Sequence, residues 1–238
     1  MANGDFSVQQ LVADVRRRAM IPNSTQVLTD ADITGFLNDE MWEYIVPMLM
    51  ATTEEYLVAA ADLGVPASTT INLEDQAVFT SGVIGLKVRD VQVRNGNAWI
   101  SLPRIEPERE GQQFFASNTT QGYMFRGSKI HLVPVDQTPG AQIRVLYYKR
   151  PTALVYASPY TQTPGIPQDL CPLLIQRAVY RCLDALGDSR AEAAAASAER
   201  TRVTCIQLIS PRGEGSARVV INYSGPGWTY RRRPYSMR

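Results

Sequence analysis

Histidine is the side chain most often recruited for proton transfer near neutral pH, and this chain has one, His131. It falls in a short β-rich run, where a lone histidine is ordinarily a partly exposed sheet residue. The three cysteines, Cys171, Cys182 and Cys205, stand at separations that fit no zinc pattern, and an odd number closes no disulfide set. All three lie in stretches read as helix, where cysteine behaves as a small buried apolar residue. Glu106, Glu108 and Glu110 alternate, so an extended backbone would project all three to one side and could hold a divalent cation. Arg104 and Arg109 beside them favour a solvated loop instead. No G-x-S-x-G elbow, Walker loop or G-x-G-x-x-G turn is present. Asn118-Thr119-Thr120 matches a glycosylation sequon, which carries no meaning without a secretory signal. The expectation is a protein that is not an enzyme and uses no metal and no cofactor.

Binding chemistry is better represented. Near the C-terminus Trp228, Tyr230, Arg231, Arg232, Arg233 and Tyr235 interleave aromatic rings with guanidinium groups. Such a mixture suits nucleic acid, through phosphate pairing and stacking. It suits an acidic protein groove equally, because Trp, Tyr and Arg are frequent interface anchors. Just upstream, Val219, Val220 and Ile221 could add a short strand to a partner's sheet edge.

Charge is unevenly spread along the chain. The formal net charge is +1, yet no Lys or Arg occurs between Arg18 and Lys87, while ten acids there give −10. Residues 212–238 carry +5. Segregation of this kind suits subunits that meet unlike surface to unlike surface. Asp39, Glu40 and Glu43 are the candidates for an acidic surface facing a channel or a neighbouring subunit.

The elements that must position these residues are legible from periodicity. Ser7 and Gln10 read as a capping box, with Phe6 and Leu11 as a hydrophobic staple. Val8, Leu11, Val12, Val15 and Ala19 follow as one apolar face. Arg16, Arg17 and Arg18 suit its negative end, and Pro22 with Asn23 should stop it. Thr29 caps a second helix, with Asp30 and Asp32 in the first turn. Its face comprises Ile33, Phe36, Leu37, Met41, Tyr44, Ile45 and Met48, with a kink expected at Pro47 and an end near Glu55.

From residue 57 the pattern changes to short β-rich runs at 70–73, 86–94, 98–102, 122–126, 129–134 and 142–148. Asn95-Gly96, Gly127-Ser128 and Pro139-Gly140 mark the turns between them. Along the last run Ile143, Val145 and Tyr147 face one way and Arg144, Leu146 and Tyr148 the other. Helix returns after a linker containing Pro159, Pro164 and Pro167. Leu170, Leu173, Leu174, Ala178, Cys182 and Ala185 share a face up to Leu186. Gly187 then reads as a C-terminal cap and Asp188 as the cap of an alanine-rich helix that Pro211 stops. The fold class expected is α+β: an antiparallel helix bundle with an inserted antiparallel β module and an extended C-terminal arm. The parts are a helical segment (1–56), the β module (57–157), a helical hairpin completing the bundle (158–211) and a basic, aromatic arm (212–238).

With 45% hydrophobic and 20% charged residues, the composition is that of a globular protein. No apolar run reaches the roughly 20 residues that span a bilayer, so no membrane is expected as a partner. The first residues lack the features of a signal peptide, and synthesis and retention in a bacterial cytoplasm are expected.

The stretch Leu28-Thr29-Asp30-Ala31-Asp32-Ile33-Thr34-Gly35-Phe36-Leu37-Asn38-Asp39-Glu40, running on into Tyr44-Ile45-Val46-Pro47-Met48 and Glu54-Glu55-Tyr56, resembles the N-terminal part of head-to-tail connector (adaptor) proteins of tailed bacteriophages. The order of elements is similar too: helices, β module, helices, extended arm. The resemblance implies a structural subunit of the virion neck that forms a ring, commonly a dodecamer, below the portal protein. Double-stranded DNA would cross the ring without sequence-specific binding. The arm would dock on the portal, and the β module would face outward or toward a tail or nozzle protein. An arm of 27 residues spans roughly 90 Å at about 3.3 Å per residue when extended, ample to reach a neighbouring ring. The alternatives are a DNA-binding protein acting through its basic tail and a structural protein elsewhere in the tail or baseplate.

Overall fold

A computed structural model describes residues 6–22, 28–64, 70–80, 82–106, 122–133, 142–158 and 160–210. Helix α1 (Val8–Ala19) opens on Ser7, whose side chain accepts the N–H of Gln10 at 3.4 Å. Its apolar stripe, Val8, Leu11, Val12, Val15 and Ala19, is buried as the spacing predicts. The helix stops before Pro22 and Asn23. Met20 adopts a left-handed conformation (φ 56°) and returns its N–H to the carbonyls of Arg16 and Arg17, so a C-cap rather than proline ends it. Arg16 turns inward, paired with Asp30 at 2.6 Å and donating to the carbonyl of Leu28 at 3.0 Å. One guanidinium thus ties the end of α1 to the start of the next helix.

Helix α2 (Asp30–Glu40) has a complete capping box. Thr29 Oγ1 accepts the Asp32 N–H, and Asp32 Oδ2 accepts the Thr29 N–H at 2.8 Å. The Thr29 hydroxyl, which also donates to Asp32 Oδ2 at 2.7 Å, and then the Thr29 N–H hold the Asp32 carboxyl below its usual range. A single kinked helix reaching Glu55 does not form. A π turn (Met41–Ile45) intervenes, followed by α3 (Val46–Thr52) and a 3₁₀ turn (Glu54–Leu57). Proline has no N–H, and its ring crowds the carbonyl four residues back, here that of Glu43. The chain accommodates Pro47 by widening the turn before it, and Val46 N–H reaches back five residues to Met41. The irregularity therefore lies one turn ahead of the proline.

Seven strands follow among the described residues. Strands β1 (Val58–Gly64), β3 (Val83–Asn95), β4 (Ala98–Ser101) and β7 (Ile143–Lys149) form an antiparallel sheet in the order β1-β7-β3-β4. Strands β2 (Thr70–Asn72), β5 (Gly122–Arg126) and β6 (Lys129–Val133) form a second, in the order β2-β6-β5. Gly127 and Ser128 close the β5–β6 hairpin as expected, Arg126 pairing with Lys129, and Gly127 supplies the positive φ (60°) the turn requires. The β3–β4 loop is Gly96-Asn97, one residue later than predicted, because Asn95 still pairs with Ala98. At Gly122 any Cβ would lie 2.8 Å from the Pro103 carbonyl oxygen and closer still to Ile105, so only glycine lets that strand pass. The turn expected at Pro139-Gly140 lies outside the described residues.

After a 3₁₀ turn (Gln168–Leu170) comes α4 (Cys171–Ala185), which buries Leu173, Leu174, Ala178 and Cys182. Gly187 (φ 65°) caps it, with the Asp188 N–H returning to the Leu183 carbonyl. Helix α5 (Ala191–Ile209) lies against α4, and α4 also packs on α1 and α2. The fold is α+β with antiparallel sheets.

The buried residues form two clusters, one built on the helices and one shared by the two sheets. Strand β7 joins them. Ile143, Val145 and Tyr147 sit in the sheet cluster, where Phe79 meets the Tyr147 ring edge-on at 4.9 Å, while the next residue, Tyr148, is buried in the helical cluster. Phe79 is fully buried. Phe79→Ala should cost about 3–5 kcal/mol, and because its contacts lie in the sheet cluster, sheet structure should melt before helix. Thermal unfolding followed separately by near-UV and far-UV circular dichroism would check this; a single coincident transition would contradict it.

Candidate interaction surfaces

The arm residues Val219, Val220, Ile221, Trp228, Tyr230, Arg231, Arg232, Arg233 and Tyr235 lie outside the described residues. So do Glu108, Glu110 and the sequon. The other predicted site, the acidic surface of Asp39, Glu40 and Glu43, is described and needs correction. Glu40 is not on the surface at all: it is fully buried. A buried carboxylate is tolerated only when paired and hydrogen-bonded. Arg177 Nε donates to one Glu40 oxygen at 2.7 Å and Arg181 Nε to the other at 2.5 Å. Arg181 also donates to Glu43 at 2.7 Å. Asp39 and Glu43 are exposed, and the carboxylate of Asp39 has no partner among the described residues.

The network extends to α5. The Arg177 guanidinium lies 4.1 Å from the centre of the Tyr44 ring, within cation–π range. Tyr44 in turn donates its hydroxyl proton to Glu199 at 2.6 Å, and Glu199 pairs with Arg202 at 3.1 Å. Burial, then the hydrogen bond to Glu199, pushes the Tyr44 hydroxyl up to about 12. Five of the ten acids between Arg18 and Lys87 thus meet an arginine of the same chain, Glu40 and Glu43 among them. Asp30 meets Arg16, Glu55 meets Arg89, and Asp62 meets Arg144. Sequence reading missed the partners Arg177 and Arg181; their four-residue spacing, which puts both on one face of α4, was the available signal.

Chemistry is sparse elsewhere. His131 Nδ1 lies 3.2 Å from Thr70 Oγ1 across the β2–β6 pair, a half-buried sheet residue. The three thiols are buried, and burial pushes Cys171 up to about 12 and Cys182 up to about 11, away from the reactive thiolate. Among the described residues no group of three His, Cys, Asp or Glu is placed to hold a metal ion, and no helix is long and apolar enough to cross a membrane. A groove of about 410 Å³ opens where helices meet sheets, lined by Met50, Glu54, Lys87, Arg104, Phe125 and Tyr148 among others. Arg104 lies 5.0 Å from the centre of the Phe125 ring. No histidine, serine, cysteine or carboxylate pair lines the groove.

Two outcomes follow from the Glu40 network. Glu40→Ala leaves two guanidinium groups facing each other without their counter-ion and should destabilise the protein by about 3 kcal/mol, the low end for a broken buried pair because Arg181 is 36% exposed; urea unfolding would measure it. The second concerns pH. Folding raises the Tyr44 hydroxyl from the ordinary 10 to about 12, so its stabilisation is full below pH 10 and is lost as pH rises through 12. Tyr44→Phe should flatten that alkaline loss in melts recorded across pH 9–12.

No curated protein matches the chain in sequence. The model of the SU10 adaptor protein family matches residues 6–221, a span that takes in every helix, both sheets and the start of the arm, and ends at Ile221. The match covers well over half of the sequence, and the chain belongs to the SU10 adaptor protein family, a family of phage adaptor proteins.

Proposed function

We propose that the protein is a subunit of the ring that joins the portal to the tail in a tailed phage. The observation that carries this reading is the family match, which extends through the helical and β parts alike. In this reading the helical parts (1–56 and 158–211) form the wall of the ring, commonly of twelve copies, and double-stranded DNA passes through without sequence-specific contact. The β module (57–157) faces the tail or nozzle protein.

The arm (212–238) docks on the portal. Its composition supports this role. Gly213, Gly215, Gly225, Pro226, Gly227 and Pro234 oppose regular structure, so ordering on a partner needs several anchors together. Val219, Val220 and Ile221 offer a short strand for a sheet edge. Trp228, Tyr230 and Tyr235 offer aromatic anchors, and Arg231, Arg232 and Arg233 offer cations for portal carboxylates. The family match ends at Ile221, so this aromatic and basic end is a feature of the present chain beyond the matched span.

Truncation after Pro211 should leave the melting temperature of the free protein nearly unchanged and abolish binding to purified portal rings. Trp228→Ala alone should weaken binding by about 2 kcal/mol, the loss typical of one interface anchor. Titration of labelled protein onto portal rings would read both. Normal occupancy by the truncated protein would mean that the helical body, not the arm, makes the contact.

A further inference from the structure

Gly35 stands in the interior of α2, where glycine lowers helix stability relative to alanine. Nothing among the described residues requires it. It does not adopt a positive φ, and a Cβ built on it meets no heavy atom within 4 Å. A helical glycine with open space above it fits a place where another backbone comes close. One turn to either side on the same outward face lie Ala31 and Asp39, both exposed. The α2 surface is therefore a strip of small residues beside a carboxylate that has no partner among the described residues.

Helix α5 carries a matching strip. It buries Ala198 and Cys205 and exposes the opposite side, where Ala196, Arg200 and Val203 fall in line. Val203 is 56% exposed, an apolar side chain left in water, and the Arg200 guanidinium has no partner among the described residues. The two strips share one spacing. Gly35 precedes Asp39 by four residues, and Ala196 precedes Arg200 by four. With the helices parallel and Gly35 set against Ala196, Asp39 meets Arg200 and Val203 comes opposite the half-buried Trp42. Small faces small, so the backbones close to a distance at which the opposite charges pair. Both helices bury their other side against α4, so each strip looks away from it, and one subunit presents a different strip to each neighbour. Such a head-to-tail contact is the kind that closes into a ring.

We infer that the α5 strip of one copy docks on the α2 strip of the next. This rests on the ring reading and names its seam. The test uses the full-length protein, melted alone and imaged on portal rings. Gly35→Ala should raise the melting temperature of the free protein by about 2–4 °C while lowering ring occupancy, a split that a purely internal role would not produce. Gly35→Leu should prevent ring closure. Asp39→Arg and Arg200→Asp should each cut ring yield by at least about tenfold, and the two changes together should restore it. Because Cys171, Cys182 and Cys205 are buried, Gly35→Cys with Ala196→Cys should give, on oxidation, a ladder of covalent multimers. Complete rings from Gly35→Leu and from both single reversals, or a disulfide closed only within one chain, would overturn the seam and leave the ring standing. Failure of the unaltered protein to form any ring on portals would overturn the ring reading, and the seam with it.

Discussion

A carboxylate taken out of water has to be neutralised where it lies, and Glu40 imposes that condition on the helical body. The side chain sits at the last residue of α2, just before the π turn. Arg177 and Arg181, one turn apart on α4, converge on its two oxygens. The π turn then sets Glu43 beside Arg181 and Tyr44 between Arg177 and Glu199 of α5. Exchanging a buried ion network for well-packed apolar residues is often neutral for stability. These charges tie α2, the π turn, α4 and α5 to one another.

Much of this was legible in the sequence where the signal is local. The caps at Ser7, Thr29 and Gly187, the apolar stripe of α1 and the Gly127-Ser128 hairpin each depend on residues a few positions apart, and each took the predicted form or close to it. The α+β class followed from the change of period alone. Failures occurred where a distant partner decided. Strand β1 reads Val-Ala-Ala-Ala-Asp-Leu-Gly, a helix-favouring composition, yet it is a strand because β7 pairs along its length, from Val58 with Tyr148 to Gly64 with Ile143. Glu40 looked like one more member of an acidic surface; its partners lie 137 and 141 residues away. Charge segregation along the chain was real, but folding brings many of the acids to arginines of the same chain.

The two hydrophobic clusters meet along one strand, β7. Adjacent residues of β7, Tyr147 and Tyr148, are buried on opposite sides, one among the sheets and one among the helices. Burial also pushes up both hydroxyls, so neither is readily ionised at this junction. Among the described residues the surface carries a groove lined partly by aromatic rings and two charged side chains without a partner there, Asp39 on α2 and Arg200 on α5; the C-terminal sequence is rich in rings and guanidinium groups.

The position of the protein in the particle is tested most directly by imaging. Electron microscopy of purified virions carrying a gold-labelled tag on this protein should show label in one narrow ring between capsid and tail, averaged to a closed ring in register with the portal. Label scattered along the tail, or gathered at its far end, would contradict the account.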